Sequence, residues 1–143
     1  MPERGGEALI KPLPLKVSKQ SLLRLLSSVD NSLGARYRSG GSAPDGFDCS
    51  GLVQYLFKQE FRMILPRTAE EIAAFGPLVP KSELRPGDLL FFSIDGSRID
   101  HVGIFTGNSS FAHASSNGVR IDRMEERYYE WRYAFASRLI TVE

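Results

Sequence analysis

The chain has 143 residues, 42% of them hydrophobic, which suits a single domain with one core. Its one cysteine, Cys49, excludes an intramolecular disulfide framework, a Cys-x-x-Cys redox pair and a zinc site of several thiolates, and His101 and His113 are the only histidines. A formal charge of +1 argues against nucleic acid held by bulk electrostatics, although residues 1–40 carry seven Lys/Arg against three acids.

Residues 1–17 lack periodicity and are rich in Gly, Pro and Lys, so they read as a flexible basic arm or a linker remnant ahead of a folded unit at 18–143. Met1–Ile10 has no hydrophobic region of the export-signal kind, and no stretch reaches the roughly 18 apolar residues of a membrane span. Ser18–Ala35 has a helical pattern, with Leu22, Leu23, Leu25, Leu26, Val29 and Leu33 on one broad face and Gly34 at its end. A loop follows through Tyr37 and Ser39, closed by the Pro44-Asp45-Gly46 turn. Cys49, Leu52, Val53, Leu56 and Phe57 then fall at i, i+3, i+4, i+7 and i+8, one apolar helical stripe behind an Asp48 N-cap. Thr68 and Glu71 have capping-box spacing for a short helix that ends before Gly76-Pro77.

Sheet is expected beyond that point. Leu89–Phe92 is a short continuous apolar run, as in a strand covered on both faces. Val102–Phe105 and Phe111–Ala114 flank a Thr-Gly-Asn-Ser turn, and Val119–Ile121 follows Asn117-Gly118. Trp131, Tyr133 and Phe135 alternate with Arg132, Ala134 and Ala136, the period of a last strand. Helices first and a meander afterwards predict an α+β domain.

Cys49 stands in the first turn of its helix, where free N–H groups and the helix dipole favour a thiolate, with thiol pKa values of about 3.5 to 7.5 in such settings. The competing reading is a small buried hydrophobe on the stripe. A nucleophilic thiol needs a base near neutrality, and only His101 and His113 qualify. If the turn between them centres on Gly107 or contains a bulge, the two are directly opposed in an antiparallel pair, one able to act as base while the other orients it. Gly103 on the same face would leave room beside the His101 ring. Cys49, His101 and His113 lack the short ligand spacings of a zinc site, so no metal is expected. The glycines form no phosphate-binding fingerprint.

Gly46-Phe47-Asp48-Cys49-Ser50-Gly51-Leu52-Val53, Arg85-Pro86-Gly87-Asp88-Leu89-Leu90-Phe91-Phe92, His101-Val102-Gly103-Ile104-Phe105 and Phe111-Ala112-His113-Ala114-Ser115 together resemble the NlpC-type family of cell-wall cysteine peptidases, in order and spacing. Leu33–Tyr37 with Gly40-Gly41, and Leu65-Pro66-Arg67-Thr68, look like flanking signatures of that family, and the match runs from about Ser27 to Ile140. The resemblance implies a minimal papain-like fold, with helices packed on an antiparallel sheet of five or six strands. It implies Cys49 as nucleophile, His101 as base and general acid, His113 as its orienting partner and Tyr37 at the oxyanion site. Asp48 and Ser50 would contact substrate. Ser39, Asp100 and Ile72 depart from the family's usual residues, and all three would line or border the substrate groove.

By the same resemblance the substrate is the stem peptide of bacterial peptidoglycan, cut at the γ-D-glutamyl bond to diaminopimelate or, alternatively, at the D-alanyl cross-link. A non-catalytic wall-binding module and a thiol acyltransferase are the readings from other classes. Retention of Cys49 and both histidines argues against the module, and a cysteine that precedes its histidine argues against the transferase. No cofactor and no nucleic acid are expected, a monomer is, and the site of action is the cell envelope, with any export signal or lipid anchor absent from these residues.

Overall fold

The computed structural model describes residues 12–143, so most of the expected arm lies outside the described residues. Its last part does not stay unpaired. Leu15–Val17 is a strand, β1, and Ser18 then caps the first helix, α1 (Lys19–Ser32), by accepting a hydrogen bond from the Ser21 N–H at 3.0 Å. Leu33 turns out of the helical conformation and Gly34 follows at φ 89°, so the helix ends at Ser32, three residues short of the expected Ala35. Only Leu25 and Val29 of its apolar face are fully buried.

Two short strands, β2 (Ser42–Ala43) and β3 (Gly46–Phe47), form a hairpin around Pro44-Asp45 and lead into the second helix, α2 (Cys49–Phe61). Asp48 caps α2 through the Gly51 N–H at 2.8 Å. Position 51 admits only glycine, because a Cβ there would lie 1.9 Å from the Gly41 carbonyl oxygen, backbone against backbone. The start of α2 is therefore pressed against the loop that precedes it. The short α3 (Ala69–Ile72) carries the expected capping box, Thr68 and Glu71 exchanging side-chain and backbone hydrogen bonds at 3.2 Å.

The remaining strands are β4 (Leu78–Val79), β5 (Leu89–Phe92), β6 (His101–Gly107), β7 (Ser110–Ser115), β8 (Gly118–Arg123), β9 (Tyr133–Ser137) and β10 (Ile140–Val142), with a fourth helix, α4 (Arg127–Glu130), between β8 and β9. Six of them make one antiparallel sheet in the order β4-β9-β5-β6-β7-β8, while β10 pairs in parallel with β1. The architecture is the α+β arrangement expected from helices followed by a meander. Residues 131–136 are a partial exception. Trp131 belongs to the end of α4, its N–H bonded to the Arg127 and Tyr129 carbonyls, so it cannot also be extended, and β9 is not the last strand.

Both faces of the sheet are covered. On one, Leu89, Phe91, Val102, Ile104, Ala112 and Ala114 pack under α1 and α2. On the other, Leu90, Phe92, Phe105, Phe111 and Ala136 form a second, smaller cluster with Met124. This explains the unbroken Leu-Leu-Phe-Phe run, whose alternate residues serve opposite clusters. Phe47, Phe57, Phe91, Phe92 and Phe111 are all under 2% exposed, each stabilising the fold by about 1.5–3 kcal/mol. Asp88, buried at the entry of β5, is held by a two-pronged contact with Arg138, 2.9 Å at each prong, which ties β5 to the segment between β9 and β10. Among the described residues, no helix is long and apolar enough to cross a membrane.

Candidate active site

Cys49 begins α2 beside the Asp100 carbonyl that immediately precedes β6, and its thiol points to that oxygen at 3.8 Å. The helix start is fixed by Arg67, which donates to both carboxylate oxygens of Asp48 at 3.1 and 2.9 Å and to Ser50 Oγ at 2.8 Å. The Gly40 N–H also bonds Asp48, at 3.0 Å. Asp48 and Ser50, which the family resemblance assigns to substrate, thus face Arg67 and the backbone instead, and Ser50 is buried. Neither lines the cleft around Cys49, nor does exposed Ser39 or Ile72, which is buried in the main core instead of bordering the groove, whereas Tyr37 and Asp100 do. The Asp100 carboxylate accepts from the Ile94 and Asp95 N–H groups at 2.7 and 3.2 Å and so pins the loop that rims the cleft.

The histidines are not directly opposed. Ile104 faces Ala112 and Phe105 faces Phe111, with an extra residue bulged out before Gly107 meets Ser110. Asn108 and Ser109 make the two-residue turn, both at positive φ as a tight hairpin requires. Carried along the strands, this register sets Gly103, not His101, across from His113, and the expected direct pairing is corrected to a diagonal one. The rings still meet. His101 Nε2 lies 2.7 Å from His113 Nδ1 with the planes at 84°. Gly103 makes this possible, since a Cβ there would come 2.8 Å from the Phe111 ring and 3.3 Å from His113 Cβ.

The sequence reading missed the next member of the chain. His113 Nε2 lies 2.7 Å from Asp122 Oδ2, and that oxygen also receives Arg120 Nε at 3.1 Å and the Tyr129 hydroxyl at 3.4 Å. Asp122 is 7% exposed while Ile121 beside it is 36% exposed, the reverse of the usual alternation. The signal available was the Asn117-Gly118 turn, which sets Arg120 against His113 and Asp122 against Phe111.

These contacts order the protons. A carboxylate only accepts, so His113 carries its proton on Nε2 and its Nδ1 is an acceptor. That acceptor is satisfied only by a proton on His101 Nε2, which leaves His101 Nδ1 as the bare, basic nitrogen. Burial pushes His101 down to about 3, with His113 adding to the effect, and burial also lowers His113 against the opposing pull of Asp122, so both rings are neutral.

The expected low thiol pKa is not what the structure gives. Burial raises the Cys49 thiol, the Val102 and Ser50 backbone groups pull it down, and the Asp48 and Asp100 charges add to the rise. The resting pair is a thiol and a neutral imidazole. Iodoacetamide attacks thiolates, so its rate at Cys49 is expected to be slow at neutral pH and to climb only as pH passes the 9.0 of an ordinary thiol. A rate already level across the acid range would instead reveal a preformed thiolate–imidazolium pair. Tyr37 is likewise raised, by burial and then by Asp48 and Cys49, and keeps its phenolic proton.

Tyr37, Cys49, His101, His113 and Asp122 line one open cleft of about 730 Å³, within the usual range for small-ligand sites. Among the described residues, no group of three or more His, Cys, Asp or Glu side chains is arranged to hold a metal ion.

A thiol at a helix start and a polar histidine relay on an antiparallel sheet meet in one cleft, the cysteine–histidine site of an α+β domain. The NlpC/P60 family model matches residues 34–138, and the chain belongs to that family. It is 44% identical over 119 residues to the Escherichia coli murein DD-endopeptidase MepS/murein LD-carboxypeptidase, covering 82% of this chain and 63% of the relative. It is 38% identical to murein DD-endopeptidase MepH of Escherichia coli (88% and 47% covered) and 40% identical to a γ-DL-glutamyl hydrolase of Bacillus subtilis (74% and 26% covered). The chain therefore spans less than two thirds of the length of these relatives. Among solved structures, it superposes on an NlpC/P60 family protein from Bacillus cereus with a TM-score of 0.79 at 28% identity, covering 84% of this chain and 40% of that one. The peptidoglycan hydrolase RipB of Mycobacterium tuberculosis gives 0.74 at 25% identity, with 99% and 74% covered.

Proposed function

We propose that the chain is a cysteine endopeptidase of peptidoglycan stem peptides, acting as a monomer in the cell envelope without a cofactor. The observation that carries this reading is the His101–His113–Asp122 relay, which leaves one basic nitrogen, His101 Nδ1, for the cleft that Cys49 enters. As Cys49 Sγ attacks the amide carbonyl its proton passes to His101 Nδ1, the two events coupled because the resting thiol is neutral. The Cys49 N–H and the Tyr37 phenol, which keeps its proton, donate to the oxyanion. His101 then protonates the leaving amine, the C–N bond breaks and a thioester remains. Water, deprotonated by His101, releases the new carboxylate and restores the thiol.

Two bonds fit this chemistry. The γ-D-glutamyl–diaminopimelate bond is the one expected from the sequence, and the hydrolase named for such a linkage is 40% identical. The D-alanyl cross-link is favoured by the two relatives named as DD-endopeptidases, at 44% and 38% identity. Asp48 supports the same choice, since its pairing with Arg67 leaves it poorly placed to take a free substrate amine.

Mass spectrometry of fragments released from purified sacculi tests both levels of the proposal. Cross-linked dimers converted to monomers mark the cross-link, and shortened disaccharide-dipeptides mark the γ-D-glutamyl bond. Sacculi left unchanged would overturn the reading.

A further inference from the structure

Next to the cleft runs a second groove of about 790 Å³ that the reaction does not use. Ile94 and Tyr128 line both, so the two adjoin. The wall of this groove carries the most exposed aromatic side chain of the described core, Trp131, 79% exposed, beside Tyr128 at 50%. Two such rings side by side at a groove form a contiguous patch of the kind that marks a binding surface.

The rings stand on a firm base. Arg132 lies over the Tyr128 ring, its guanidinium 4.0 Å from the centroid, and donates to the Tyr128 carbonyl at 2.9 Å. Tyr129 meets Tyr128 edge-on at 5.0 Å, and the Ser93 N–H bonds the Arg132 carbonyl at 2.8 Å, joining this wall to the loop opposite. Neither Arg127 nor Arg132 has a carboxylate partner among the described residues, so both can donate to a ligand. Asp95, also in the lining, accepts from the Ser97 N–H and hydroxyl through Oδ1 at 2.9 and 3.0 Å, which leaves Oδ2 to accept a ligand hydroxyl.

We propose that this groove is a saccharide-binding shelf that seats the amino-sugar strand from which a stem peptide branches. Pyranose rings present flat C–H faces that stack on Trp131 and Tyr128, while their hydroxyl and acetamido groups meet Arg127, Arg132 and Asp95. A polymer that enters the cleft by its peptide branch must pass close to the cleft's rim, where the groove lies. The lining sets two arginines against one aspartate, so the paired rings, rather than the groove's charge, are what select a sugar. The inference rests on the stem-peptide reading above.

Trp131 is the sole tryptophan, so its fluorescence reports on the shelf alone. Titration of the full chain carrying Cys49→Ala with the N-acetylglucosamine tetramer is expected to give a saturable emission change. In turnover, Trp131→Ala is expected to lower kcat/KM on glycan-linked fragments about tenfold, the worth of one aromatic stacking contact, and to leave cleavage of the sugar-free peptide unchanged. With its side chain mostly in solvent, the substitution spares the core, and an unchanged melting temperature would confirm it. An emission change with anionic phospholipid vesicles but none with the saccharide would overturn the shelf, as would an equal loss on both substrates. Saccharide binding without cleavage of any wall fragment would support the shelf and overturn the hydrolase reading instead.

Discussion

Cys49→Ala is expected to reduce release of soluble fragments from sacculi by about 10⁶-fold, because a covalent route has no substitute for its nucleophile. The fold should survive. Cys49 is only half-buried, sits in the first turn of α2, and leaves the Asp48 cap and the Arg67 clasp untouched when its sulfur is removed. Alanine also favours the helix intrinsically. Circular dichroism and the melting temperature should match those of the parent chain, so that the loss is chemical. Turnover undiminished in this variant would exclude the covalent mechanism.

Asp122→Asn is expected to lower kcat by about 10²- to 10⁴-fold with KM little changed, bracketed by the loss of a supporting hydrogen bond and by the loss of a buried orienting carboxylate. The carboxylate can only accept, and this fixes the protons on His113 Nε2 and His101 Nε2. An amide can also donate. Turned that way it would place the His113 proton on Nδ1, forcing the His101 proton onto Nδ1 and removing the base. Turned the other way it keeps the order but loses the negative charge that offsets the imidazolium formed in the transition state. Its effect should appear in the pH profile as well. Protonation of His101 would become still harder, so the acid limb of kcat should move further down, a change that a purely structural defect would not produce. An unaltered kcat and acid limb would show that the relay ends at His113.

The second helix was the most legible part of the sequence, because its apolar stripe, its Asp48 cap and the crowding at Gly51 all agree on one conformation. The three residues of the attacking pair and its partner were legible for a simpler reason, scarcity: the chain has no other thiol or imidazole. Register was harder. A two-residue turn at Asn108-Ser109 with one residue bulged before Gly107 sets Gly103, not His101, across from His113, and nothing in Thr106-Gly107-Asn108-Ser109 fixes that combination in advance. Asp122 was hidden by its neighbours, since an acid between Ile121 and Arg123 reads as a solvent-facing position until the second sheet face is known to be covered. The β1–β10 pair was illegible because it is three residues long and joins segments more than 120 positions apart.

The single-file arrangement from Asp122 to His101 also limits how such a site can change over time. Position 113 must accept at one end and donate at the other, a requirement that histidine, asparagine and glutamine meet and that no carboxylate, ammonium or apolar side chain does. A replacement at 113 of different length would strand the acid at 122 with only Arg120 and Tyr129 for company. Positions 101, 113 and 122, with the glycine at 103 that lets the rings cross, are therefore expected to drift as a set rather than singly.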